Sequence, residues 1–161
     1  MDFRPEFSLT TTWSIPASIG LTWLYLVDTE KWPLWWKYVV SVQEVADGSP
    51  TGIDNVRQYH WHTCLPYSLL LKLRVTEVLP YRRLAVEVTG DLLGSGSCNL
   101  SWNSSSEHTK IEFIWQVQPC KHWMNWFTIL TKPIFIWNHN RVMQQGEQGL
   151  IRHLSAIKQT H

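Results

Sequence analysis

Cysteine is scarce in this chain. Cys64, Cys98 and Cys120 are odd in number and far apart, and no C-x-x-C occurs. That spacing fits neither a disulfide framework nor a thiolate zinc site, and it suits a reducing cytoplasm. Long apolar runs are missing as well. The most apolar stretch, Trp123 to Trp137, is interrupted by Asn125, Lys132 and Pro133 and falls short of the roughly 20 residues a bilayer helix needs. The N-terminal MDFRPEFSLTTTW has no apolar h-region and does not read as a signal peptide. Charge is balanced at a net +1, with no basic run or stripe, so nucleic-acid binding has little support. There is no G-x-S-x-G elbow and no phosphate-cradling glycine loop, and Ser95, Ser97 and Ser101 have no predicted histidine partner. No cofactor is expected.

What the chain has in excess is tryptophan, eleven in 161 residues. Each buries a large rigid surface but carries one N–H that needs an acceptor. Such a content implies an aromatic-lined cavity, a membrane-facing rim, or both; a tryptophan-heavy core is the plainer reading and carries equal weight. The length corresponds to one ordinary domain, residues 1–161, able to bury roughly 70% of its unfolded surface.

The spacing predicts a long C-terminal helix over Pro133 to Lys158. Ile136, His139, Met143, Gly146, Leu150, Leu154 and Ile157 recur at intervals of three or four and form one stripe. Asn138, Arg141, Gln145, Gln148 and Arg152 fall on the other side. Pro133 suits a first turn. Gly146, inside the stripe, costs a helix about 1 kcal/mol relative to alanine, which implies close backbone approach to a sheet.

Upstream, Phe7 to Ser14 alternates apolar and polar residues as a strand does. Pro16-Ala17-Ser18 opens a short helix with Ile19, Trp23 and Leu26 inward. Asp28 or Thr29 then caps a second, over Trp32-Pro33-Leu34-Trp35-Trp36. Strands follow over Val39–Val45, Asn55–Thr63, Ser68–Leu79, Arg83–Thr89, Ser95–Trp102 and Thr109–Gln118. They are separated by turn-formers such as Asp47-Gly48-Ser49-Pro50 and Gly90–Gly94. Gly96 reads as a bulge or sharp bend. Short connections imply an antiparallel meander with one buried face, covered by the terminal helix.

The order of these elements resembles the START-like helix-grip (SRPBCC) superfamily, specifically its polyketide cyclase/dehydrase-type members. The matching residues are Ile15 to Trp23 with Asp28 and Trp32-Pro33-Leu34-Trp35; Leu65-Pro66-Tyr67; Pro80-Tyr81-Arg82-Arg83; Gly90-Asp91-Leu92 with Gly94 and Gly96; and Trp137-Asn138-His139 with Val142-Met143, Gly146 and Gly149-Leu150. They run from about residue 8 to 155. Ser18 departs from the pattern, since such sequences more often have proline there; here Pro16 comes two residues earlier. The resemblance implies an α+β fold, a curved seven-stranded antiparallel sheet wrapped around the long C-terminal helix, with two short helices after strand 1. It also implies an apolar cavity between sheet and helix for lipids, polyketides or similar hydrophobic molecules. It does not imply a reaction.

On that frame the expected cavity wall is Trp61, Leu71, Leu73, Trp115, Leu130, Ile134, His139 and Met143. His139 is the best candidate for a catalytic or ligand-orienting group, since a neutral imidazole can donate to a carbonyl or exchange a proton near pH 7. A histidine satisfied by the protein itself is the competing reading and is preferred. Asn138 and Arg141 are expected on the helix surface or rim, where Arg141 could clamp an anionic group. His60-x-His62-x-Cys64 places three metal-ligating types on one strand face. Gln58 shares that face, so a polar outer surface is preferred and no metal is expected. Asp91 reads as a turn former and Glu87 as surface. Trp123, Trp126, Phe127, Ile129 and Leu130 form an aromatic stretch with three readings: a lid, a peripheral membrane contact, or core packing. The chain is therefore expected to bind a hydrophobic small molecule. The competing readings are a cyclase/dehydratase-type enzyme and a membrane-touching lipid-transfer protein.

Overall fold

The architecture was read from a computed structural model, which describes residues 6–120 and 128–160. Seven strands, β1 (Phe7–Ile15), β2 (Val39–Ala46), β3 (Val56–His62), β4 (Ser68–Leu79), β5 (Arg83–Gly90), β6 (Leu92–Asn103) and β7 (His108–Pro119), form one curved antiparallel sheet. Its order is β1-β7-β6-β5-β4-β3-β2. Helix α1 (Ile19–Val27) and the 3₁₀ helix α2 (Thr29–Leu34) link β1 to β2, and the long helix α3 (Thr128–Lys158) ends the chain. This is the helix-grip arrangement. The meander follows from the short turns, and β1 closes against β7 because its alternating residues bury Phe7, Leu9, Trp13 and Ile15 on the helix side.

Local chemistry sets most boundaries. The Ser18 side chain accepts from the Leu21 amide at 3.2 Å and caps α1. Asp28 makes no such bond to α2; its carboxylate pairs instead with Lys31 at 2.8 Å. Strand β6 starts at Leu92, three residues earlier than its glycines imply, and the turn before it narrows to Asp91. The Asp91 carboxylate accepts from the Leu70 amide at 2.8 Å, which fits the turn reading. Gly96 makes no bulge. It stands opposite Trp115 in an unbroken register, and a Cβ there would lie 2.7 Å from the Trp115 ring, so the glycine makes room for an indole. Helix α3 begins at Thr128, five residues before Pro133, which therefore sits inside the helix and not in its first turn.

Tryptophans hold α3 to the sheet. Trp13 on β1 is fully buried and packs edge-on against Trp36, with ring centroids 5.1 Å apart; Trp36 stacks on Trp35 at 5.6 Å. The Trp36 indole donates to the Val142 carbonyl of α3 at 2.9 Å. The close approach expected at Gly146 is to these rings and not to sheet backbone. A Cβ there would lie 2.4 Å from Trp36 and 2.7 Å from Trp13. At Gly149 it would lie 1.8 Å from the Trp35 carbonyl oxygen. The two glycines form a notch that admits the Trp35–Trp36 pair. The cost shows in polar terms: the Trp13 and Trp35 indole N–H groups have no hydrogen-bond partner among the described residues.

Gly146→Ala is expected to destabilise the fold by about 1–2 kcal/mol, because overpacking outweighs the roughly 1 kcal/mol of helix propensity alanine adds. Gly149→Ala should cost more, since its obstacle is backbone and cannot swing aside. Urea denaturation of the two variants checks the order.

Candidate functional site

Between the sheet and α3 lies a cavity of about 110 Å³. Its walls are apolar: Leu9, Leu69, Leu71 and Leu73 from β1 and β4, Phe113, Trp115 and Val117 from β7, Leu92 from β6, and Trp32, Trp36 and Trp61 across the top. From α3 come Phe135, Asn138, His139, Val142 and Met143. Six of the residues expected from sequence are there: Trp61, Leu71, Leu73, Trp115, His139 and Met143.

Ile134 is not. It is 48% exposed and lies off the cavity. The helix advances 100° per residue, so Ile134 stands about 140° from His139, whereas Phe135 stands about 40° away and takes the place. The Leu130 side chain lies outside the described residues, as do Trp123, Trp126 and Phe127. Asn138 reverses its expected place. It is only 5% exposed and lines the cavity, because the inward arc of α3 is centred between Asn138 and Met143, closer to Val142 than the leucine stripe implies. Its side-chain carbonyl oxygen has no hydrogen-bond partner among the described residues. A wheel centred on Phe135, His139 and Val142 would have found it; the stripe through Gly146 and Leu150 hid it.

His139 is the titratable group of this wall. Its Nε2 lies 3.4 Å from the Thr11 hydroxyl, a long contact. Burial lowers its pKa from the ordinary 6.5 to about 4, so the ring is neutral at pH 7. The cavity thus presents a neutral imidazole and an unspent amide carbonyl, about 100° apart on one helix, in apolar surroundings. No carboxylate of the described residues lines it.

The other candidates lie elsewhere. His60 and His62 face outward; His62 Nδ1 is 3.1 Å from the Ser68 hydroxyl, and the exposed Cys64 thiol is 3.0 Å from the Tyr38 hydroxyl. No group of three metal-ligating side chains converges among the described residues. Exposed Arg141 reaches the Tyr38 hydroxyl, whose pKa is raised chiefly by its bond to Cys64. Glu87 is on the surface, paired with Arg74. One serine–histidine contact that the sequence reading missed is Ser14 Oγ to His108 Nδ1 at 2.8 Å, but both lie on an exposed strand end away from the cavity. No helix of the described residues is long and apolar enough to cross a membrane.

The fold is shared with solved proteins at low identity. The Zhui aromatase/cyclase from a Streptomyces species superposes with a TM-score of 0.73 at 12% identity, over 92% of this chain and 93% of that one. A START superfamily protein from Mycobacterium smegmatis gives 0.71 at 12% identity, over 93% and 98%. A major latex-like protein from Panax ginseng gives 0.64 at 7% identity, over 92% and 97%. No family model and no curated protein matches the sequence. The chain therefore has the START-like helix-grip fold.

Because the folded pKa of His139 lies below its unfolded value, the unfolded chain takes up the proton first on acidification. Stability is expected to fall as pH drops from about 6.5 to about 4, by up to about 3 kcal/mol from this group. His139→Leu should flatten that part of the profile, read as the difference between the two proteins' urea midpoints across the range.

Proposed function

We propose that this chain binds a small hydrophobic molecule, aromatic in character, in the cavity between sheet and α3. The observation that carries the reading is an apolar void walled by four indoles, Trp32, Trp36, Trp61 and Trp115, and bordered by the polar side chains of His139, Asn138 and Thr63. A space of about 110 Å³ suits a ligand of about one aromatic ring; an engineered cavity of roughly 150 Å³ takes benzene. A full lipid chain or a multi-ring polyketide does not fit without displacing indoles. Apolar burial supplies the affinity, at roughly 25 cal/mol per Å² before ordering costs. The Asn138 carbonyl, an acceptor without a donor, selects a ligand carrying an O–H or N–H.

Cyclase- or dehydratase-type chemistry is the second reading. Asn138 favours it, because it converges with His139 on one apolar space. Against it stands the histidine's pKa of about 4: a proton-transfer catalyst works best near the operating pH, and this ring is a weak base at pH 7. Orientation of a bound ligand is the role that suits such a ring. The resemblance of shape to an aromatase/cyclase supports either reading, since the fold hosts both. The membrane-touching reading rests on Trp123, Trp126 and Phe127, outside the described residues.

Native mass spectrometry of freshly purified protein, followed by organic extraction, tests for a resident ligand. Titration with phenol and with benzene, followed by tryptophan fluorescence, tests the cavity. Phenol should bind about tenfold more tightly than benzene, the worth of one hydrogen bond, and Asn138→Leu should abolish that margin. Met143→Trp should remove binding of both probes while far-UV circular dichroism stays unchanged. Binding that survives Met143→Trp would overturn the reading.

A further inference from the structure

A second and larger space lies beyond Leu73, which lines both it and the first cavity. It is a recess of about 450 Å³ between α1, the β2–β3 turn and the ends of β3, β4 and β5. Its floor is apolar, with Trp23, Val78, Leu84 and Val86 among its residues, and its rim carries Glu44, Asp47, Asn55 and Arg57. The Trp32–Tyr59 ring pair, centroids 5.7 Å apart, stands between it and the cavity beside His139.

Asn55 is the unusual member. It is 6% exposed and fully engaged except at one atom. Its amide nitrogen donates to Glu44 at 2.8 Å and to the Asp47 carbonyl at 3.2 Å. Its backbone N–H donates to Gly52 and its backbone carbonyl accepts from Val75. The side-chain oxygen alone has no partner among the described residues. Both donors of the amide are held by acceptors, so the oxygen cannot be exchanged for the nitrogen by a ring-like flip. The turn that presents it has three left-handed positions, Gly48, Gly52 and Asp54, at φ of 70°, 88° and 65°. Arg57 is paired with Glu44 at 3.3 Å and faces Glu30 at 3.8 Å, though its Nε makes no hydrogen bond among the described residues. The rim therefore offers acceptors and net negative charge above an apolar floor.

We propose that this recess is a second small-molecule site, for a compound with a compact apolar body and a protonated amine end. The body lies over Trp23 and Val78. The ammonium donates to the Asn55 carbonyl and is held by the carboxylates of Glu44 and Asp47, with carboxylate-ended compounds excluded by the same charges. The site is distinct from the cavity on α3, with which it shares the Leu73 wall.

The test is an amide-resolved NMR titration of the full chain with phenethylammonium and, separately, with 3-phenylpropionate. Phenethylammonium should shift the resonances of Asn55, Tyr59 and Val78 and bind about tenfold more tightly than the carboxylate. Glu44→Gln, at an exposed side chain, should weaken it about threefold. Val78→Trp should fill the recess and abolish it, and Met143→Trp should leave it unchanged. The proposal is overturned if the shifts centre on His139 and Met143, if Val78→Trp binds as the wild type does, if the two probes bind equally, or if phenethylammonium fails to bind at about 10 mM.

Discussion

The contact between the Trp35–Trp36 pair and the glycine notch of α3 is the constraint on which the rest of the molecule depends. A helix that carries side chains at every position would stand off the sheet by the thickness of an indole. Gly146 and Gly149 remove that offset, so Trp36 reaches both Trp13 on β1 and the Val142 carbonyl. The helix is thereby seated firmly in its C-terminal half. The Trp13 and Trp35 indole N–H groups go without acceptors among the described residues in return. Burying three large rings, each worth up to a few kcal/mol of apolar transfer, outweighs that loss.

The cavity is what this seating leaves over. Where glycine ends and Met143, His139 and Phe135 begin, the helix keeps its hold on β1, with Phe135 4.4 Å from Phe7 and His139 3.4 Å from Thr11, but leaves a gap toward β4 and β7 that is walled by Trp32, Trp36, Trp61 and Trp115. The same indoles keep the gap small. Burial depresses the basicity of His139, which turns a potential acid–base group into a neutral dipole. The cavity's size and the histidine's protonation state thus share one cause.

Solved proteins with as little as 7–14% identity share this architecture. A helix gripped by a curved sheet can be encoded by many residue patterns, provided the strand alternation and the helix stripe are kept. The interior contents are free to differ. That freedom is why shape alone leaves the ligand open, and why the argument for an aromatic ligand here rests on Trp61, Trp115, Asn138 and His139 of this chain.

The strand alternation of Leu69, Leu71 and Leu73, or of Ile111, Phe113 and Trp115, was legible directly, because a period of two leaves no doubt about which side is buried. So were the order of elements, the fold class and most of the cavity wall on β3, β4 and β7. The helix was harder. A stripe read through Gly146, Leu150 and Leu154 marks where α3 meets the core, but the cavity lies over an earlier, slightly rotated arc. Ile134 and Asn138 were therefore exchanged, one turned to solvent and the other inward. The meaning of eleven tryptophans could not be read locally either. Trp13 fills the core, Trp61 walls a cavity and Trp137 faces water, and nothing in their neighbours separates the three. Periodicity determines which face of an element is buried. Only the tertiary structure decides what that face meets, because packing against distant residues settles whether the space is filled, empty or open.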